Sequence, residues 1–153
     1  MVDMQRTLVI IKPDGVQRGL IGEIVGRLER RGLKIVALRL RMIDRDLAER
    51  HYGEHKGKPF YAGLIDYICS GPVVTAVFEG PGAVAVTRTT MGATRPAEAG
   101  PGTIRGDFSL MMGRNLIHGS DSPESAQREV DLFFGADGAL DYTRNIDPWV
   151  IED

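Results

Sequence analysis

The chain predicts an α+β sandwich. It is a ferredoxin-like βαββαβ arrangement, an antiparallel four-stranded sheet covered by helices, with an inserted helical hairpin and a long loop before the last strand. Three observations predict it. Short apolar runs of strand length alternate with stretches of helical period. Helices stand between the first and second strands and between the third and fourth, the split-βαβ pattern. One strand alternates apolar with charged residues, which marks a sheet with a wet face and pairing that is antiparallel at least in part. On this reading the helices gather on one face of the sheet.

The elements follow in order. Thr7-Leu8-Val9-Ile10-Ile11 is apolar and β-branched and ends at Lys12-Pro13-Asp14-Gly15, a turn sequence. Lys12 thus stands at the C-terminal end of a buried strand, where a long cationic side chain reaches out of the sheet. Ile21, Ile24, Val25 and Leu28 recur at helical spacing, and Gly32 supplies the stop. Val36, Leu38, Leu40 and Met42 then alternate with Ala37, Arg39 and Arg41, so the first set is expected inside and the second outside. Two helices, Asp46 to His55 and Gly63 to Ile68, are joined through Gly57-Lys58-Pro59. Pro72 to Glu79 makes the third strand, and Gly82 to Met91 a helix rich in β-branched residues.

Between Gly92 and Asn115 there is little periodicity, and Gly92, Gly100, Gly102, Gly106, Gly113, Pro96 and Pro101 punctuate the stretch. A loop of this length inside a compact domain is usually functional. It is expected to carry Thr94 and Arg105 toward His118.

The last strand lies in Gly113-Arg114-Asn115-Leu116-Ile117-His118-Gly119-Ser120-Asp121. A polar Asn precedes a His by three residues, and glycine beyond the His lets a ligand approach the backbone. Ser122-Pro123 reads as a helix N-cap and first helical residue. In the helix that follows, Ala126, Glu129, Val130 and Phe133 share one face. Glu129 therefore lies in or beside a buried stripe, where an ionised carboxylate needs a partner. His118 is the candidate. A carboxylate on one ring nitrogen fixes the tautomer and leaves the other as acceptor or nucleophile.

Composition bounds the function. The 153 residues fit one domain, expected to span 1–153, and the formal charge of −2 gives no global pull toward nucleic acid or anionic membrane. A single Cys, Cys69, excludes an internal disulfide and fits a reducing compartment. No apolar run reaches the length of a membrane span, and Met1-Val2-Asp3-Met4 does not read as a signal peptide. A cytoplasmic protein is expected. Gly53-Glu54-His55-Lys56-Gly57-Lys58-Pro59 imitates a phosphate-binding loop, but it is one residue short between the glycines and has Pro59 at the Ser/Thr position. Gly100 to Gly106 misses the dinucleotide spacing. His51 and His55 are spaced for one helix face, but Gly53 between them weakens that helix as a metal site.

The block Asn115-x-x-His118-Gly119-Ser120-Asp121 resembles the active-site signature of nucleoside diphosphate kinases. The resemblance continues through Ile11-Lys12-Pro13-Asp14-Gly15-Val16-Gln17-Arg18-Gly19, His51-Tyr52, Pro59-Phe60, Ser70-Gly71-Pro72-Val73, Arg88-x-x-x-Gly92-x-Thr94, Pro101 to Asp107 and Trp149. It implies a ferredoxin-like fold and ping-pong transfer of a γ-phosphate from a nucleoside triphosphate, mainly ATP, to a nucleoside diphosphate. His118 would carry the phosphoryl group.

The resemblance also assigns roles. Lys12, Arg88 and Arg105 supply cations and Thr94 a hydroxyl, with Mg²⁺ carried on the phosphates and no metal ligand from the protein. Asn115 and Lys12 hold the sugar hydroxyls, and Phe60 with Leu64 beside it forms the platform for the base. Tyr52 and Ser120 support the His118 ring, and Glu129 orients it. Phe78, Tyr61 and Met112 depart from the family's usual residues, Met112 close to the nucleotide. A homo-oligomer is implied, a hexamer ahead of a tetramer. Two rivals are weaker. An idle nucleotide-binding module has no use for His118 and Glu129 together, and a nucleic-acid-binding regulator lacks its basic, aromatic-laced surface.

Overall fold

The computed structural model describes residues 2–152, so Met1 and Asp153 of the expected domain lie outside the described residues. In chain order the elements are β1 (Met4–Ile11), α1 (Pro13–Gln17), α2 (Ile21–Arg30), β2 (Lys34–Arg41), α3 (Arg45–His51), α4 (Tyr61–Ile68), β3 (Val73–Pro81), α5 (Ala83–Met91), α6 (Ile104–Phe108), β4 (Ile117–Gly119) and α7 (Pro123–Phe134). The four strands form one sheet in the order β2-β3-β1-β4, antiparallel at every pairing. This is the expected βαββαβ topology.

Helices cover both faces of the sheet rather than one. Leu8 and Ile10 pack with Val73, Val77, Ile65 and Phe133, whereas Val9 and Ile11 pack with Phe78, Ile24, Met91 and Ile104. Successive residues of a strand point to opposite faces. The unbroken run Thr7–Ile11 is therefore what a strand with a core on each side requires, and all five residues are buried.

The expected facing of β2 is corrected. Leu38, Leu40 and Met42 are 54%, 64% and 57% exposed, while Val36 and Ala37 are both buried. The cause is a bulge. Ile35 pairs with Phe78 and Ala37 with Val77, leaving Val36 as the extra residue and breaking the alternation there. β2 is also the edge of the sheet.

The helix expected from Asp46 to His55 stops at His51, and a separate 3₁₀ turn spans Gly53–His55. Gly53 weakens a continuous helix. A short helix, α1, replaces the turn expected after Lys12, with Pro13 at its first position. The long loop is more structured than its composition implied. It holds a 3₁₀ turn at Pro96–Glu98 and α6, whose cap Thr103 accepts the Gly106 amide at 3.0 Å. A Cβ at Gly106 would lie 2.0 Å from the Gly100 carbonyl oxygen, so the loop folds tightly back on itself.

Candidate active site

β4 is three residues long and pairs with β1, placing His118 opposite Ile10. The approach to it is bent. Leu116, fully buried, has φ +74°, and the Ile117 amide reaches back to the Asn115 carbonyl at 2.9 Å. A leucine in that region costs on the order of 1–3 kcal/mol and persists only where its surroundings fix it. Here they do. The Lys12 amide donates to the Leu116 carbonyl at 2.8 Å, and the Leu116 amide donates to Asp14 Oδ2 at 3.1 Å.

Arg105 locks the same segment. It is buried and donates Nε to the Asn115 carbonyl (3.1 Å), Nη1 to that of Gly92 (3.1 Å) and Nη2 to that of Ile117 (2.5 Å). Three of its five N–H donors are thus spent on backbone, leaving two. Burial, with Arg88 nearby, pushes the guanidinium down to about 10.

The Ser122 side chain caps α7, accepting the Ser125 amide at 3.1 Å, and the helix buries the expected face of Ala126, Glu129, Val130 and Phe133. That face delivers Glu129 to His118. His118 Nε2 lies 2.7 Å from Glu129 Oε1, and Ser120 Oγ donates to the same oxygen at 3.0 Å. Ser120 Oγ also accepts the Leu8 amide at 3.2 Å, which ties the pair to β1. Burial works to raise the Glu129 pKa, but the hydrogen bond from His118 and the nearby imidazoles and Ser120 bring it below the ordinary value. Glu129 is therefore ionised, and the imidazole donates through Nε2. In the neutral ring that donates through Nε2, Nδ1 is the acceptor nitrogen.

His51 and Tyr52, at the end of α3, are both buried, and the His51 ring stands edge-on to that of His118 with centroids 4.8 Å apart. Burial holds His51 down to about 3, a neutral imidazole, and raises the Tyr52 hydroxyl to about 12. Lys12 Nζ donates to Asn115 Oδ1 at 2.9 Å, and Asn115 Nδ2 donates to the Thr94 carbonyl at 3.1 Å, so Asn115 joins β1 to the long loop. Burial, with Arg105 close by, pushes the Lys12 ammonium down to about 8.

A cavity of about 160 Å³ is lined by His51, Tyr52, Arg88, His118, Asp121 and Glu129, with Glu54, His55 and Gly119 completing its wall. Arg88 also lines a second, open hollow of about 480 Å³ with Thr94, and its Nη1 donates to the Gly119 carbonyl at 2.9 Å. Phe60 (51% exposed), Leu64 and Met112 line neither hollow. Gly119 lines the cavity beside His118, and a Cβ there would also lie 2.5 Å from Met91 Sδ, so packing against α5 favours the glycine as well.

The sequence assigns no role to Asp14, Glu54 or Asp121. Asp14 looked like a turn former, and only the fold shows it holding Leu116. His51 was weighed with His55, whereas the fold places its ring against His118.

Residues 5–138 match the family model described as nucleoside diphosphate kinase. The chain is 58% identical over 150 residues to the nucleoside diphosphate kinase of Archaeoglobus fulgidus, covering 98% of this chain and 99% of that protein. It is 60% identical over 148 residues to the enzyme of the same name from Thermomicrobium roseum, covering 97% and 99%. The solved structure of a halophilic nucleoside diphosphate kinase from Halobacterium salinarum in complex with CDP superposes with a TM-score of 0.95 at 51% identity, covering 98% of this chain and 100% of that one. A full-length match of sequence and fold, joined to an imidazole oriented by a buried carboxylate, leaves one conclusion: the chain belongs to the nucleoside diphosphate kinase family.

Proposed function

We propose that this chain, as a single domain over 1–153, transfers the γ-phosphate of a nucleoside triphosphate, ATP foremost, to a nucleoside diphosphate through a phosphohistidine on His118. The observation that carries the reading is the 2.7 Å contact between His118 Nε2 and Glu129 Oε1, which frees Nδ1 on a ring that lines the cavity. In the first half-reaction the Nδ1 lone pair bonds to the γ-phosphorus. The bond from that phosphorus to the β–γ bridging oxygen breaks, and the nucleoside diphosphate leaves. The phosphorylated ring keeps its Nε2 proton and gains positive charge, which Glu129 balances. The second half-reaction is the reverse, with a diphosphate oxygen as the attacking atom.

Phosphoryl transfer asks mainly for positioning and charge neutralisation. Arg88, Lys12 and the two N–H donors left on Arg105 face the phosphates, with the Thr94 hydroxyl. Asn115 and Lys12 take the sugar hydroxyls. Phe60 offers one exposed ring face to the base, with Leu64 and Met112 near it. A single aromatic face tolerates any base. Tyr52 and Ser120 hold the imidazole.

The donor set fits Mg²⁺ borne on the nucleotide. Beside the guanidinium and imidazoles of the cavity stand the carboxylates of Glu54 and Asp121, and an ion that prefers oxygen ligands and keeps much of its water would meet them through that water. When bound, it neutralises phosphate charge. The placement is cytoplasmic, and no helix among the described residues is long and apolar enough to cross a membrane. The working form is a homo-oligomer, a hexamer in preference to a tetramer, supported by the exposed apolar row on β2.

Incubation with γ-labelled ATP should give an acid-labile protein adduct that discharges on addition of a nucleoside diphosphate. His118→Ala should abolish both while the circular dichroism spectrum stays unchanged. A folded variant that still turns over at a near-native rate would overturn the covalent route.

A further inference from the structure

We propose that His51, His118 and Glu129 form a binding site for a transition-metal dication of the Zn²⁺ type, and that filling it switches the nucleophile off. The existence of the site stands on geometry alone, and its consequence rests on His118 as phosphate acceptor. His51 is 4% exposed, and neither of its ring nitrogens has a hydrogen-bond partner. A buried imidazole in that state keeps an unused lone pair. Ligand atoms from His51, His118 and Glu129 all lie within 4.8 Å of one another. Two imidazoles and a carboxylate are a ligand set that zinc sites use with a fourth position open. Bonds of roughly 2.0–2.1 Å around a tetrahedral ion bring donors to about 3.3 Å apart, so closure asks for side-chain shifts of about an ångström.

The route in is present. The three residues line the cavity of about 160 Å³, whose wall also carries the carboxylates of Glu54 and Asp121. Three cations stand nearby, and the charge of Lys12, whose Nζ is held by Asn115 Oδ1 at 2.9 Å, also acts on His51. Arg128 Nη2 lies 3.7 Å from Glu129 Oε2, on the oxygen His118 does not use, and its side chain is 46% exposed and free to swing out. Arg88 is already held by the Gly119 carbonyl.

The chemistry of inhibition follows from the tautomer. The ion bonds to Nε2 in place of the proton that Nε2 gives Glu129. That proton is the only one on the neutral ring, and through water it passes to Nδ1. The Nδ1 lone pair is then consumed by an N–H bond, and no nucleophile remains for phosphorus. Mg²⁺ does not act in this way because it seeks oxygen rather than imidazole.

The test uses the full chain labelled with ¹⁵N-histidine, which contains three histidines. One equivalent of Zn²⁺ should shift the ring nitrogens of His51 and His118, leave those of His55 in place, and move His118 Nδ1 to the protonated position. In parallel, phosphoryl transfer is followed in excess Mg²⁺ at buffered free Zn²⁺, for the native chain and His51→Leu. The variant should need about 10-fold more Zn²⁺ or greater for half-inhibition, since even losing a partner that merely orients a ligand weakens metal sites 10- to 100-fold. Each protein is referred to its own zinc-free rate. Shifts confined to His55, or equal sensitivity of the native chain and a folded variant, would overturn the site. If His51→Leu does not fold, the native chain's histidine spectrum decides alone. A chain that shifts His51 and His118 with Zn²⁺ yet forms no phosphohistidine would sink the transfer reading and leave the metal site standing.

Discussion

Glu129 bonds the ring nitrogen of His118 that, in the proposed transfer, does not meet phosphate. Glu129→Gln keeps the volume but brings no charge, and its amide is as able to present NH₂ as C=O to the ring. Single-turnover phosphorylation of His118 at saturating ATP should slow on the order of 10- to 100-fold, by analogy with carboxylates that orient metal-binding histidines. Nucleotide affinity should hold. A loss confined to affinity would remove Glu129 from ring orientation. Lys12 sets a different signature, because burial pushes it down to about 8. Its charge is present below that pH and absent above it, so kcat/KM should fall as pH rises past about 8. Lys12→Gln should lower kcat/KM at neutral pH and flatten that limb. A limb that survives in the variant belongs to another group. His51 governs the acid side. Its folded value of about 3 lies below its ordinary 6.5, so between those values the unfolded chain binds the proton and the folded chain does not. Stability therefore falls as pH drops through that window. His51→Leu removes the orphaned nitrogens and should move the acid-unfolding midpoint, followed by circular dichroism, to lower pH; an unmoved midpoint would place the acid lability elsewhere.

At the scale of elements, β4 owes its position less to its own three residues than to the bonds that Arg105 makes to the carbonyls around it. Truncating Arg105 to Ala leaves the carbonyls of Gly92, Asn115 and Ile117 without that donor. The expected cost is about 3 kcal/mol or more in chemical denaturation, since unsatisfied buried groups cost roughly 1–3 kcal/mol each. Arg88→Ala, with one such bond, should spare stability far more and act on turnover. Arg105→Lys should rescue little, because a compact ammonium does not reach the three separate carbonyls that the guanidinium bonds. Equal stability of the two Ala variants would refute this division.

The division was invisible in the sequence, where both arginines read as phosphate cations. The strand β1, the helix α7 and its Glu129 face were legible because periodicity records burial directly. The Leu116 bend and the bulge at Val36 were not, for each depends on what a distant strand or carboxylate supplies. Asp14, 102 residues from the amide it accepts, leaves no local signal. Phe60 and Met112 were named only through family likeness; an exposed aromatic has no pattern of its own.

For the whole molecule, the row Leu38, Leu40 and Met42 along a sheet edge is a surface that water covers poorly. Leu40→Asp should lower the association state seen in sedimentation while leaving the fold of each copy intact, since the side chain adds little to its own core. Unchanged sedimentation would place the subunit contacts on another face. Phe60 stands just outside the His118 cavity, its ring 5.4 Å from that of His55 on the cavity wall. In the proposed transfer, the ring that would meet the base takes no part in lining the space where His118 would hold phosphate. Once loaded, the chain keeps no record of which nucleotide loaded it. The direction of transfer is then set by the relative abundance of nucleotides around it, and the protein hastens a balance that it has no means to bias.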